Sequence, residues 1–290
     1  MKIFTRVAGV AGIPQHLEGI SVAVEVTGEF FAKPAEAASH DGAAATSCTP
    51  STCTNTDVWP VPVPIGVSTS SNAFLRGFCF AGTIGARVQD ATAAVYALSN
   101  NHVYALENTV ALGTDVLQPG LADTQCSPTG SNVIGTLSAF AKILFCKGHK
   151  CPSNTIDAAI AVSDVARLGN TTPPAGYGTP NSSTAAASVG EPVQKYGRTT
   201  SLTTGQVTGI NATVLVGYRR GTSLFVNQIV VSSCTTTCIG AGDSGSLLVT
   251  NDGNLNPVGL LFAGNSSGST AIANPIGAVL NYFSVAVDGR

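Results

Sequence analysis

The sequence contains few charged residues and no long apolar run. Lys, Arg, Asp and Glu together make up 10% of the 290 residues, well below the roughly 25% that is usual in soluble domains. The formal net charge is −2, so there is no basic excess to hold phosphates, and we expect no nucleic-acid partner. No apolar run reaches the length that spans a membrane, so we expect no membrane segment.

The Lys/Glu/Leu patterns of long helices, internal repeats and coiled-coil heptads are also missing. Glycine occurs 32 times, and apolar residues make up 44% of the chain, a composition that indicates a β-rich fold. The length allows one large domain or two small ones. Residues 1–15 lack the apolar core and cleavage site of an export signal, so we expect any such signal to lie outside this chain.

The eight cysteines are even in number, and six of them fall in close pairs, which indicates disulfides and an oxidising compartment. The candidate disulfides are Cys48–Cys53, Cys146–Cys151 and Cys234–Cys238. Cys79 and Cys126 are expected to stay unpaired. The alternative is zinc, because His149 lies between Cys146 and Cys151, but no pair has the two-residue gap of a zinc ribbon. We therefore expect no metal and no cofactor.

Patterns of apolar residues predict the secondary structure. Residues 20–26 alternate and predict a half-buried N-terminal strand that ends in a turn at Gly28. Prolines at alternate positions of residues 61–67 predict an edge strand. Asn274 is predicted to cap a C-terminal helix with Pro275 in its first turn. His40, in the Ala-, Ser- and Thr-rich residues 34–57, is expected to be solvated. Further strands are predicted at 79–88, 95–98, 155–162, 193–197, 207–216, 224–231 and 257–264.

Three polar side chains stand where catalytic chemistry is possible. Ser244 lies in a glycine-rich stretch, residues 239–246, which can turn backbone N–H groups toward one point beside its hydroxyl. The alternative is an ordinary Gly/Ser turn between strands. His102 follows a short apolar strand with an Asn-rich end. Asp157 is a single carboxylate in an apolar run, which is costly unless it is hydrogen-bonded, although a strand-edge role is the alternative.

The order His102, Asp157, Ser244, together with Gly-Asp-Ser-Gly at 242–245, closely resembles the chymotrypsin-like serine peptidases over about residues 61–285. The resemblance implies an all-β fold of two antiparallel β-barrels with a short C-terminal helix, preceded here by an N-terminal strand extension. It also implies that Ser244 is the nucleophile and His102 the general base and then acid. Asp157 would orient the imidazole. Residues 19–32 and 82–88 look like a bacterial branch related to the plant narrow-leaf peptidase.

The chain is expected to divide into four parts. An N-terminal extension over residues 1–57 precedes a first barrel over 58–169 that carries His102 and Asp157. Residues 170–188 carry no charge and are rich in proline and glycine, so they are the expected linker. They lead to a second barrel over 189–290 that carries Ser244 and the terminal helix.

Family members also place an oxyanion hole and a primary specificity pocket beside the nucleophile. Here the resemblance implies that the N–H groups of Gly242 and Ser244 bind the oxyanion. The stretches expected to build the pocket, residues 234–241 and 262–271, contain no titratable side chain other than cysteine, so we predict a preference for uncharged side chains. The rival outcome is trypsin-like cleavage with a carboxylate supplied by Asp252. The pocket residues implied by the resemblance are Cys238, Phe262, Ala263 and Gly264.

The chain departs from the family in three places. Phe262 stands where many members carry a serine that supports the aspartate. Val103 replaces the cysteine that usually follows the histidine. No freed apolar N-terminus is evident, so Asp243 is expected to pair with an internal group, for which Arg198 is one candidate.

We therefore expect a serine endopeptidase that acts on polypeptides, in an extracellular or periplasmic location. The alternatives are a catalytically silent pseudopeptidase that binds extended peptides and a serine esterase.

Overall fold

The structure, a computed structural model, describes residues 1–38, 47–129 and 131–290. His40 lies outside the described residues. The first ten strands are β1 (Lys2–Thr5), β2 (His16–Leu17), β3 (Ile20–Ser21), β4 (Ala23–Val26), β5 (Phe30–Ala32), β6 (Ala35–Ala38), β7 (Ser68–Ser71), β8 (Phe78–Thr83), β9 (Ala86–Asp90) and β10 (Val95–Ser99). The next elements are α1 (Asn101–Tyr104), β11 (Asp115–Gln118), a 3₁₀ helix (Leu121–Thr124), β12 (Asn132–Phe140), β13 (Ser153–Asn154) and β14 (Ala159–Ser163). The remaining elements are β15 (Pro192–Gly197), β16 (Ser201–Tyr218), β17 (Gly221–Ser232), β18 (Leu247–Thr250), β19 (Pro257–Asn265), β20 (Ala271–Pro275), α2 (Ile276–Phe283) and β21 (Val285–Val287).

Two large sheets organise these strands. The first has nine strands in the order β21-β9-β10-β14-β12-β11-β7-β8-β6. The second has eight in the order β13-β17-β20-β19-β18-β15-β16-β5. Nearly all pairings are antiparallel, as expected for strands joined by short turns. The prediction of an all-β chain with a short C-terminal helix is confirmed.

Each sheet curls around its own apolar core, and a third cluster joins the two. Tyr104 and Leu137 lie in the first core, whereas Ile229 and Val258 lie in the second. The joining cluster takes residues from β9, β10, β18, β19 and α2. Burial of these apolar side chains is the main force that holds the sheets face to face.

The N-terminal segment differs from its prediction. Residues 20–26 do form strands, but their apolar side chains are exposed, 54% for Ile20 and 51% for Val24. They belong to two-stranded pairs, β2 with β3 and β1 with β4, which lie outside the two large sheets. The prediction of a half-buried strand is therefore wrong. The chain then continues into β5 and β6, which join the second and the first large sheet respectively.

Two further predictions of secondary structure are wrong. Residues 61–67 contain no strand, and only Val63 makes an isolated bridge, with Leu168. Prolines in this stretch donate no backbone hydrogen bond, which accounts for the missing ladder. The C-terminal helix begins at Ile276, but Asn274 lies in β20 and does not cap it. The Asn274 side chain instead accepts a hydrogen bond from the backbone N–H of Asp157 at 3.0 Å.

All eight cysteines are paired in disulfides. The three predicted pairs, Cys48–Cys53, Cys146–Cys151 and Cys234–Cys238, are confirmed. The expectation that Cys79 and Cys126 stay unpaired is wrong, because they form a fourth disulfide between β8 and the residues after the 3₁₀ helix. Their separation of 47 residues hides the pairing from inspection of close spacings. With Cys146 and Cys151 bonded to each other, neither thiol is available to a zinc ion.

Residues 170–188 are all described and contain no strand or helix. After α2, β21 returns to the first sheet and pairs with β9. Among the described residues, none of the helices has the length and apolar character needed to cross a membrane.

Candidate active site

A tight turn presents Ser244 just before β18. Two of its glycines have positive φ angles, +102° at Gly242 and +95° at Gly245, a region that side-chain-bearing residues rarely adopt. A Cβ atom at Gly242 would also lie 2.5 Å from Nη1 of Arg198 and 2.7 Å from Oγ1 of Thr199. Both the backbone angle and the crowding therefore require glycine at this position.

The buried carboxylate of Asp243 holds the turn in place. Its Oδ2 lies 3.3 Å from Nζ of Lys195 and accepts hydrogen bonds from the Thr200 hydroxyl at 2.6 Å and the Gly240 N–H at 2.8 Å. Its Oδ1 accepts the Thr199 N–H at 2.8 Å. Donors from β15 and from the loop before β16 thus converge on one residue next to Ser244.

Burial alone would raise the pKa of Asp243, but the positive charge of Lys195 and the converging donors lower it below its ordinary value. Burial lowers the pKa of Lys195, and the charge of Asp243 opposes that change. The carboxylate is therefore ionised and paired. The suggestion that Arg198 is its partner is wrong, because Nε of Arg198 lies 2.9 Å from Oδ2 of Asp123.

The ends of two neighbouring strands bring His102 and Asp157 together. β10 and β14 are antiparallel, with Ser99 opposite Ala159, so the residues just after β10 face those just before β14. Nδ1 of His102 lies 2.6 Å from Oδ2 of Asp157, and the His102 N–H donates to Oδ1 at 3.2 Å. His102 is 2% exposed and Asp157 is fully buried. His102 is therefore fixed by two contacts with one carboxylate, one through its ring and one through its backbone N–H.

A tyrosine completes the hydrogen bonds of Asp157. The Tyr218 hydroxyl, at the end of β16, donates to Oδ2 at 2.8 Å. Burial and the nearby negative charge of Asp157 raise the pKa of Tyr218 well above its ordinary value, so the phenol stays protonated as a donor. Phe262 packs its ring against Phe225, with 4.8 Å between centroids. Asp157 thus has a hydroxyl donor in Tyr218, although the side chain of Phe262 carries no hydroxyl.

The Ser244 turn and the histidine turn meet at Gly82 of β8. Gly82 is in contact with both sides, since a Cβ there would lie 2.5 Å from Val103 and 2.9 Å from the Ser244 carbonyl oxygen. The Ser244 hydroxyl donates to the carbonyl oxygen of Phe262 at 3.3 Å. Among the described residues, the buried Nε2 of His102 has no hydrogen-bond partner.

Comparisons with known proteins show which proteins the chain resembles. Residues 131–267, just under half of the chain, match the model of Peptidase family S64. No curated protein matches the chain. Among solved structures, a glutamic acid specific serine protease is 23% identical with a TM-score of 0.53, and the alignment covers 78% of this chain and 100% of that one. Protease A of Thermobifida fusca is 21% identical with a TM-score of 0.53, over 79% and 100% of the two chains.

A third structure, the Nocardiopsis protease, is 18% identical with a TM-score of 0.52, over 78% of this chain and 99% of that one. These likenesses establish the double β-barrel fold, and the family model adds the enzyme class. The chain is a serine peptidase with the chymotrypsin-like fold.

In this peptidase three of the four residues predicted for the substrate pocket lie in β19, and Cys238 lies in the loop between β17 and β18. Ala263 and Gly264 lie in β19 and pair with Ala32 and Phe31 of β5. Cys238 is buried, and its N–H donates to the carbonyl oxygen of Gly268 at 2.8 Å. The ring of Phe262 points into the core of the second sheet. Asp252, the rival source of a pocket carboxylate, bonds to Thr250 and Asn254 beside β18.

Sequence reasoning missed Lys195, Tyr218 and Asn274 of the peptidase. Each contacts a predicted site residue through a separation of 48 residues or more, so no local pattern points to it. A signal did exist for Lys195, because it lies within an apolar strand where a charge requires a partner.

We predict that Lys195→Met destabilises the peptidase by about 3–5 kcal/mol, the usual cost of leaving one partner of a buried ion pair unpaired. The loss of stability should also depend on pH. Without the Lys195 charge the pKa of Asp243 rises, because burial is then opposed only by the hydrogen bonds from Thr199, Thr200 and Gly240. Protonation of Asp243 in the variant relieves the unpaired charge, so the melting temperature lost relative to the parent should be smaller at pH 5 than at pH 7. The control is Lys2→Met, which removes an exposed ion pair with Glu25; an equal loss in both variants contradicts the prediction.

Proposed function

We propose that this peptidase is a serine endopeptidase that cleaves polypeptides through an acyl-enzyme. One arrangement supports the proposal: Asp157 holds a buried imidazole, and the turn that carries the Ser244 hydroxyl and the Gly242 N–H meets the histidine turn at Gly82. These are the groups that acyl transfer needs, namely a nucleophile, an oriented base and a donor for the oxyanion.

The proposed steps follow from these positions. Nε2 of His102 takes the proton from the Ser244 hydroxyl as its oxygen bonds to the substrate carbonyl carbon. The N–H groups of Gly242 and Ser244 bind the oxyanion, and one such donor contributes about 3 kcal/mol. His102 then passes the proton to the leaving nitrogen as the C–N bond breaks. Water, activated by the same imidazole, hydrolyses the ester and restores Ser244.

We propose that Tyr218 is a positioning residue for this reaction. Its hydroxyl reaches Asp157 at 2.8 Å and takes the place of the serine that Phe262 replaces. Its ring also packs edge-on against His102, with 6.0 Å between centroids. Both contacts limit the orientations open to the Asp157–His102 pair.

The proposed substrates are polypeptides with an uncharged side chain before the scissile bond. The stretches beside Gly264 offer no carboxylate, and a buried cationic side chain without a counter-charge loses its hydration at a cost of several kcal/mol. Four disulfides in one chain are typical of oxidising compartments, so we propose an extracellular or periplasmic location.

We predict that Ser244→Ala abolishes both fluorophosphonate labelling and peptide hydrolysis, a loss on the order of a million-fold, while the unfolding transition is unchanged. His102→Ala should lose a similar factor, because the groups act as a unit. Ser183→Ala, at an exposed serine, is the control and should behave as the parent. Labelling that persists in Ser244→Ala would place the reactive serine elsewhere. Hydrolysis of esters but not of peptides would favour the esterase.

We predict that Tyr218→Phe lowers kcat/KM by about ten- to a hundred-fold, the range of a lost hydrogen bond to a charged group, about 1.5–3 kcal/mol. The loss should fall on kcat rather than on KM, because the hydroxyl contacts Asp157 and orients the base. Tyr282→Phe, at an exposed tyrosine, is the control. A loss that falls on KM with kcat unchanged would contradict a positioning role for Tyr218.

We predict at least a ten-fold preference in kcat/KM for small to medium uncharged side chains over Arg or Lys before the scissile bond. A peptide library varied at that one position measures it. Asp252→Asn should leave the preference unchanged, since the Asp252 carboxylate bonds within its own turn. Dominant cleavage after basic residues, lost in Asp252→Asn, would establish the rival pocket.

A further inference from the structure

Residues 30–38 run through the cleft between the two large sheets. On one side of Ser244, β5 lies antiparallel to β19, with Ala32 opposite Ala263 and Phe31 opposite Gly264. β5 also pairs in parallel with the end of β16. The residues predicted to line the substrate pocket therefore already have a strand bound along their edge.

Beyond Ser244 the same segment joins the other sheet. β6 lies antiparallel to β8, with Ala35 opposite Ala81 and Glu36 opposite Phe80. Only Lys33 and Pro34 separate β5 from β6. One extended segment thus pairs with both sheets and crosses from one to the other at the proposed nucleophile.

The crossing point touches the reactive groups directly. The carbonyl oxygen of Lys33 accepts the Gly242 N–H at 2.6 Å, the donor proposed for the oxyanion. The Lys33 N–H donates to the Ser244 hydroxyl oxygen at 3.2 Å. That hydroxyl points to the Phe262 carbonyl, and Nε2 of His102 has no partner among the described residues. Ser244 is fully buried beneath the segment.

We infer that residues 30–38 form an autoinhibitory strap, a segment of the chain that occupies its own substrate cleft and blocks it. The inference rests on the proposed function, because it takes this cleft as the place where a substrate binds. In this arrangement the strap pairs with the edge of β19 and occupies the Gly242 N–H proposed to bind the oxyanion. Another polypeptide therefore cannot bind there until the strap leaves.

The strap resists cleavage for two reasons. The bond aligned with Ser244 joins Lys33 to Pro34, whose ring nitrogen carries no hydrogen and whose fixed φ limits adjustment of the leaving group. Cleavage would also require His102 to take the Ser244 proton and deliver it to that nitrogen. The Ser244 hydroxyl bonds to the Phe262 carbonyl instead, so the base does not engage the nucleophile while the strap is seated.

Two anchors hold the strap at its ends. Phe30 is 7% exposed and packs in the core cluster of the second sheet, edge-on to Phe4 at 6.2 Å between centroids. Glu36 forms an ion pair with Arg219 at 2.7 Å, and the Arg219 guanidinium lies 3.9 Å from the centre of the Phe78 ring. These contacts fix the segment independently of its backbone pairing.

The Lys33 side chain makes the strap releasable. Its Cε lies 3.6 Å from the Cβ position of Gly264, at the predicted pocket. Among the described residues no carboxylate pairs with it, and burial lowers the pKa of its ammonium group. A charged side chain in an uncharged pocket binds less well than a neutral one would. A cavity of about 1410 Å³ also remains beside the strap, lined by His102, Glu107 and Tyr218, so the cleft has space for a competing chain.

The rate of fluorophosphonate labelling of Ser244 in the full chain tests the strap. Phe30→Asp, which places a charge in an apolar cluster, should raise the rate at least ten-fold. Glu36→Arg places a second cation beside Arg219 and should raise the labelling rate several-fold. The effect is smaller because an exposed ion pair contributes little. The controls are Val24→Asp at a half-exposed valine and Glu25→Arg, which breaks the exposed pair with Lys2. Both controls lie in the same N-terminal region outside the strap and should label at the parent rate.

Hydrogen exchange of the backbone amides of residues 30–37 provides a readout that needs no catalysis. Exchange should be slow in the parent and faster in both strap variants, with melting temperatures showing that the sheets stay folded. Equal labelling rates in the parent and both strap variants would overturn the inference and leave the proposed function intact. An intact mass showing that the parent cuts itself after Lys33 would overturn it as well. No labelling in any variant would contradict the proposed function, and the exchange rates would then decide whether the segment occupies the cleft.

Discussion

The site depends on the contacts of one buried carboxylate, that of Asp243. A carboxylate buried away from water destabilises the fold unless it has a counter-charge and hydrogen-bond donors. Lys195 supplies the charge from β15, and Thr199 and Thr200 supply donors from the loop that follows. The need to satisfy Asp243 therefore fixes where the turn stands relative to the second sheet. Ser244, the next residue, takes its position from that constraint.

Asp157 applies the same rule on the other side of the cleft. Its carboxylate accepts from the His102 ring, the His102 N–H and the Tyr218 hydroxyl, while its own N–H is bonded to Asn274. Those donors and acceptors come from α1, β16 and β20, elements of both halves of the chain. One buried carboxylate thus joins the histidine turn to the second sheet, and the two halves of the site are held in register by polar contacts as well as by the shared apolar cluster.

Much of this arrangement could be predicted from local sequence. The Gly-Asp-Ser-Gly turn, the strand that ends before His102 and the lone carboxylate at Asp157 each carry a pattern of a few residues. Contacts between distant residues carry none, which is why Lys195, Tyr218 and the Cys79–Cys126 disulfide were missed or misread. The prediction that residues 20–26 form a half-buried strand failed for a related reason. Alternation predicts a strand but does not say whether a second layer covers it.

Occupation of the cleft by residues 30–38 follows from the edges that the two sheets present to each other. β19 and β8 each leave backbone N–H and C=O groups along the cleft, and such edges bind any extended chain that reaches them. A segment of the same chain has the advantage of a high effective concentration, so it outcompetes free peptides even with modest contacts.

A substrate must then overcome that local advantage through better contacts than the strap makes. The uncompensated charge of Lys33 lowers the affinity of the strap at the pocket itself, where a substrate with an uncharged side chain gains the most. Substrate specificity and release of the strap would then depend on the same pocket. A polypeptide that fits this pocket poorly would also fail to displace the strap.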